Sequence, residues 1–275
     1  MSRQRRGLAA APLVVAASLT LAACGGGSEE SVVDPAPPAT RASLSAAAPE
    51  APPLPAAPES ALVVPQPRPL QAGASRWATV LRSTVARALP RADSAAVGEL
   101  STQTEEGTTN IVLVVGRVQD ADGRLWIRAR LPVLPNNTVG WVPREALGGY
   151  GEVDTHLVVD RTRLTATLFR TGRKIFEAPV GIGQDQWPTP VGRFYIRNRL
   201  TSYDSPMYGP LAFGTSARSA VLTDWPAGGF VGIHGTDQPD ILPGRVSHGC
   251  IRLRNDDILR LDELMPVGTP LTVRA

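Results

Sequence analysis

Ser247-His248-Gly249-Cys250-Ile251-Arg252-Leu253 is the stretch on which the reading of this chain turns, and His234-Gly235-Thr236 lies just upstream of it. The sequence of 275 residues holds two cysteines and three histidines. One cysteine and two histidines fall between positions 234 and 250, so rare reactive side chains are concentrated in one window. A thiol attacks a carbonyl at neutral pH when a base takes its proton and fixed backbone N–H groups hold the developing oxyanion. Cys250 supplies the thiol, the histidines supply a base, and Gly249 lets the backbone approach closely.

The N-terminus says where such a thiol works. Arg3, Arg5 and Arg6 form a basic patch ahead of an Ala-, Leu- and Val-rich run from Gly7 to Thr20. That run is too short to span a bilayer as a mature helix and reads as an export signal over residues 1–23. Leu21-Ala22-Ala23-Cys24-Gly25 resembles a bacterial lipoprotein signal, in which the cysteine is lipidated and becomes the first residue. The resemblance implies a chain anchored through Cys24 at the outer face of the cytoplasmic membrane. An ordinary signal peptide cut nearby is the alternative. With a lipid on Cys24, Cys250 has no partner for an internal disulfide, and a lone thiol in an oxidising compartment is either buried or used.

Charge excludes one class of partner. The chain carries 28 Lys+Arg against 25 Asp+Glu, and its net charge of +3 equals the three arginines of the leader. The remainder is balanced and gives no footprint for nucleic acid.

Residues 25–71 contain 11 of the 26 prolines and ten alanines, a composition that buries no core. Together with Cys24 they read as a disordered linker, 24–71, able to extend over roughly 100–150 Å. Residues 72–149 alternate apolar and polar positions around Trp77, Ile111–Val115 and Leu125–Leu131, with turn signals at Glu106-Gly107, Asp122-Gly123 and Asn136-Asn137. They close on Gly140-Trp141-Val142-Pro143 and resemble the small Src-homology-3-like barrel of bacterial cell-wall proteins, with Trp126 and Trp141 in its core. Residues 150–275 are again β-rich, over His156–Asp160, Leu164–Leu168, Lys174–Val180 and Gly192–Ile196, with a closing strand at Pro270–Arg274. One helix is predicted from about Asp256 to Met265, capped by Asn255, with Asp256 and Asp257 in its first turn. The fold class is therefore mainly β, with one or two short helices.

His234-Gly235-Thr236, Ser247–Leu253, the acidic helix and Val267-Gly268-Thr269-Pro270-Leu271 together resemble the L,D-transpeptidase catalytic domain of the YkuD type. Thr189-Pro190-Val191-Gly192-Arg193-Phe194 fits the same family, where a similar run lies inside the sheet. The resemblance covers roughly residues 153–274. It implies acyl transfer between peptidoglycan stem peptides, donor and acceptor, with no cofactor and no metal. Cys250 falls on the nucleophile and His234 on its base, with the Gly235 backbone carbonyl orienting the imidazole. His248 then shapes the loop or contacts substrate, and the N–H groups of Gly249 and Cys250 form an oxyanion hole. Arg252 and Ser247 become candidates for substrate binding, as do Tyr203, Met207 and Tyr208 in the segment that covers the site. Carbapenem acylation of Cys250 follows from the same resemblance. Asp237 and Asp240 lie between the motifs and read as solvated loop charges.

Three other readings compete. His234, His248 and Cys250 can be drawn as zinc ligands, although no acidic base is fixed beside them. The domain can serve wall docking without turnover. The chemistry can also end on water, giving an L,D-carboxypeptidase, since acceptor choice rests on groove shape and water exclusion.

Overall fold

A computed structural model describes residues 70–201, 205–223 and 229–275. The leader, Cys24 and all but the last residues of the linker lie outside them. Residues from 70 onward belong to one compact unit.

The first sheet has seven strands: β1 (Ser75–Val80), β2 (Thr84–Arg87), β3 (Ala96–Leu100), β4 (Ile111–Gln119), β5 (Leu125–Arg130), β6 (Val139–Pro143) and β7 (Leu147–Val153). Their order is β3-β2-β6-β5-β4-β1-β7, antiparallel throughout. Alternation drives it: β1 buries every second residue, and Ala78, Val80, Val112, Ile127, Ala129 and Val142 meet in one core. Trp126 is buried as expected, its Nε1–H donating to Asp120 Oδ2 (2.8 Å), whereas Trp141 is only half-buried. The last strand, β7, pairs with β1 and carries this sheet past the expected boundary at 150. Its Leu147-Gly148-Gly149-Tyr150-Gly151 run lacks an apolar alternation, so its place is set by β1 rather than by its own pattern.

The second sheet has ten strands: β8 (Thr155–Asp160), β9 (Thr165–Arg170), β10 (Arg173–Pro179), β11 (Gly181–Gly183), β12 (Gly192–Leu200), β13 (Ala212–Arg218), β14 (Phe230–His234), β15 (Gly244–Ser247), β16 (Ile251–Arg252) and β17 (Pro270–Arg274). Their order is β10-β9-β8-β17-β12-β13-β14-β16-β11-β15. The connections at 160–163 and 170–173 are hairpins that join β8 to β9 and β9 to β10. Helix α1 (Asn255–Leu264) lays Ile258 and Leu261 into the core beside Leu157, Phe194, Phe213, Ile233 and Ile251. The expected cap is corrected: Arg254 occupies the N-cap, and Asn255 Oδ1 instead accepts the Thr236 N–H (2.9 Å). A bond across the sheet thus outcompetes the local one.

The two sheets are joined by buried polar contacts. Tyr195, fully buried, donates its hydroxyl to the Ile111 carbonyl (2.9 Å) and packs with Trp77 and Leu113. Asn136 exchanges two hydrogen bonds with the Arg218 backbone, and Asn198 Nδ2 reaches Thr108 and Glu106. Among the described residues no helix is long and apolar enough to cross a membrane.

Candidate active site

Strand pairing brings the two chemical motifs together. β14 ends at His234 and runs parallel to β16, with Ile233 opposite Ile251 and His234 opposite Arg252. The Leu253 N–H donates to the His234 carbonyl (2.9 Å), so the residues after Cys250 are locked to the strand that carries the imidazole.

The loop before β16 is held from inside. Ser247 Oγ donates to the Cys250 carbonyl (2.6 Å) and accepts the Gly249 N–H (3.1 Å). Thr189, fully buried, donates to the Gly249 carbonyl (2.7 Å) and accepts the Gly183 N–H (2.9 Å). Gly249 has φ +119°, a conformation that side chains with a Cβ rarely adopt, so glycine is required where the loop turns into the cysteine. One expectation changes here. The Gly249 N–H is engaged by Ser247 rather than open to an oxyanion, and Ser247, though buried, both closes the turn and lines the pocket beside Cys250.

His234 is 2% exposed, and its Nδ1 lies 2.6 Å from the Gly235 carbonyl. A carbonyl oxygen only accepts, so Nδ1 carries the proton and Nε2 keeps its lone pair. Burial, reinforced by the Arg252 charge and opposed by the Gly235 bond, pushes the imidazole down to about 4. Burial pushes the Cys250 thiol up, against the Gly232 N–H that reaches Sγ (3.4 Å) and against Arg252. Burial thus disfavours the charged form of both the thiol and the imidazole.

Both groups line a pocket of about 460 Å³ together with Met207, Tyr208, Phe230 and Arg252. Tyr208 stands edge-on to His234, with ring centroids 4.9 Å apart, and half-exposed Met207 lies on the same 3₁₀ turn, Pro206–Tyr208. The Arg252 Nε is buried without a hydrogen-bond partner among the described residues. His248 is exposed at the rim of the same pocket, its ring tilted against that of Trp187 with centroids 4.2 Å apart. Tyr203 lies outside the described residues. Asp237 and Asp240 are exposed and do not line the pocket. No group of three or more His, Cys, Asp or Glu converges for a metal among the described residues.

Sequence reasoning missed Trp187, Asn255 as the anchor of Thr236, and Phe230, whose ring lies between Arg197 (3.9 Å) and Arg218 (4.7 Å). Thr189 sits in a recognisable run, but nothing local shows that it reaches sixty positions onward.

The YkuD family, the L,D-transpeptidase catalytic domain, matches residues 154–273. The chain is 30% identical over 158 residues to YkuD of Bacillus subtilis, a candidate L,D-transpeptidase, a match covering 56% of this chain and 89% of that one. It is 29% identical over 145 residues to L,D-transpeptidase 1 of Mycobacterium tuberculosis, covering 50% of this chain and 53% of that relative. A solved L,D-transpeptidase from Mycobacterium smegmatis aligns over 60% of this chain and 91% of its own, with 17% identity and a TM-score of 0.38. The chain thus spans most of one curated relative and about half of another.

Proposed function

The chain belongs to the L,D-transpeptidase family, and on that premise we propose that Cys250 and His234 carry out acyl transfer between peptidoglycan stem peptides. The observation that carries this reading is a half-buried thiol and a neutral imidazole with its Nδ1–H held, lining one pocket.

Burial, which disfavours charge on both groups, sets the order of events. His234 Nε2 takes the thiol proton as Sγ attacks the carbonyl before the terminal D-residue of a donor stem. The Gly232 N–H steadies the sulfur as charge builds on it. The oxyanion falls to the Cys250 N–H, since that of Gly249 is bound to Ser247. Protonated His234 gives its proton to the departing amine, and a thioester remains on Cys250. An amine from a second stem, deprotonated by His234, attacks the thioester and forms the new amide. Arg252, with its unpartnered Nε, is suited to a carboxylate of the donor. Tyr208 and Met207 form a wall for the stem, and carbapenem acylation would occur at the same thiol. Gly235 acts only through its carbonyl, and His248, stacked on Trp187, shapes the pocket mouth.

The same reading makes residues 1–23 an export signal, Cys24 the lipidated residue and 24–71 a tether. Residues 72–149 are then a Src-homology-3-like wall module ahead of the catalytic domain at 150–275. The protein would work at the outer face of the cytoplasmic membrane.

The test incubates the protein, with a Cys250→Ala control, with tetrapeptide muropeptides and reads the products by mass spectrometry. Dimers that have lost one terminal residue per link, absent in the control, are the expected result. Tripeptide monomers alone would replace the transferase with a carboxypeptidase, and unchanged muropeptides would remove the activity.

A further inference from the structure

A second cleft, of about 450 Å³, lies where the two sheets meet and shares no lining residue with the Cys250 pocket. Leu113 of β4 and Arg130 at the end of β5 line it from the first sheet. His156 of β8, Arg193 and Phe194 of β12 and Thr272 of β17 line it from the second. No aspartate or glutamate does.

Among the described residues neither Arg130 nor Arg193 pairs with a carboxylate, whereas Arg76, Arg197, Arg199 and Arg274 do. The Arg130 Nε is buried and lacks a hydrogen-bond partner. Arg193 from β12 and Arg128 from its own strand act against the Arg130 charge and Tyr195 favours it, and no carboxylate is among the groups that act on it. His156 donates or accepts at Thr272 Oγ1 through Nε2 (2.9 Å) and feels Arg193 as its charged neighbour. Burial, then Arg193, holds both Arg130 and His156 below their ordinary values. Half-burying a guanidinium opposite another cation is costly unless a counter-charge arrives.

We propose that this cleft, built by Arg130, Arg193 and His156, is a binding site for an organic oxyanion, a carboxylate or a phosphate. Guanidinium forks match both groups in geometry and charge. The volume exceeds that of a bare ion and falls in the range of small-molecule sites. Leu113 and Phe194 add apolar wall, which suits an anionic group carried on a carbon body. The ligand joins the two sheets, since Arg130 comes from one and Arg193 from the other.

The test reads the His156 ring by NMR in the full-length protein, the signal assigned by its loss in His156→Gln. Succinate and glycerol 3-phosphate serve as the carboxylate and phosphate probes. A bound anion beside His156 should raise its pKa by about 1 pH unit. Arg193→Gln, at an exposed position, should weaken the probe about tenfold or more, while Arg173→Gln, exposed on β10 and outside the cleft, should leave it unchanged. A response to succinate alone identifies a carboxylate site, and one to glycerol 3-phosphate alone a phosphate site. The proposal is overturned if neither probe moves His156, or if the response survives Arg193→Gln. None of these readings depends on turnover at Cys250.

Discussion

The two sheets of this protein bury different things. Among the described residues, the first buries four polar side chains, Arg76, Ser94, Thr104 and Asn110. The second buries twelve, and four of them, Thr189, His234, Thr236 and Ser247, belong to the segments that hold Cys250 in place. A buried polar group costs stability unless it is hydrogen-bonded, and once bonded it fixes geometry more tightly than apolar packing does. The first sheet therefore stands on alternation and bulk. The second places a thiol and an imidazole through a polar network, and the contrast predicts different consequences for substitutions in each.

The largest effect should come from Cys250→Ser. Volume hardly changes and the loop bonds run through backbone and neighbours, so melting temperature should hold while turnover falls by about 10³-fold or more. Steady-state rates beside a thermal melt check this. Turnover near the wild-type value would break the account of the second sheet.

Thr189→Val comes next. It keeps the shape but removes the bonds to Gly249 and Gly183, so the nucleophile loop loses its inner support. Turnover should fall about 10- to 100-fold, with a stability loss of about 1–3 kcal/mol in urea unfolding. A stability loss with unchanged turnover would make Thr189 ordinary core and weaken the comparison.

The pH dependence follows from His234. Its folded value of about 4 lies below the ordinary 6.5, so the unfolded chain binds the proton more readily between those limits. The stabilisation is complete above pH 6.5 and is lost as pH falls toward 4, about 3 kcal/mol in all. Denaturant melts across that window should show the slope, and His234→Gln should flatten it. The acid limb of kcat/KM should fall near pH 4 for the same reason. A limb near 6.5 would mean an imidazole in contact with water.

Ile127→Ala should have the smallest effect on chemistry. It empties a fully buried position of the first core and should cost about 2–5 kcal/mol. Activity per folded molecule should stay within about twofold, since no residue of that core lines the Cys250 pocket. A large kinetic defect would mean that the modules share more than a boundary.

Much of this architecture is legible in the amino-acid sequence. β1, β5, β8 and β9 announce themselves by alternation and β4 by a continuous apolar run, and the scarcity of Cys and His marks the reactive window. Strands β2 and β3 escape such reading because they are four and five residues long and only weakly patterned. β11 and β16 are three and two residues long and exist through their neighbours. At the site, His234 and Cys250 can be named from their motifs, but their meeting depends on the parallel pairing of β14 with β16, which no local pattern encodes. Asn255 shows the limit most plainly. Its type and place fit a helix cap, yet its oxygen is taken by Thr236 from the strand side. Arg130 and Arg193 lie in separate runs of the sequence, and only the apposition of two sheets puts them in one cleft.

The central claim, that Cys250 is the group acylated in the pocket, is tested most directly by trapping the intermediate. The protein is mixed with a tetrapeptide donor, quenched in acid within one turnover, digested and analysed by mass spectrometry. The account predicts the donor acyl group, less its terminal residue, on the peptide containing Cys250, and its absence from Cys250→Ala. An acyl group on another residue, or product formation with Cys250 never modified, would contradict it.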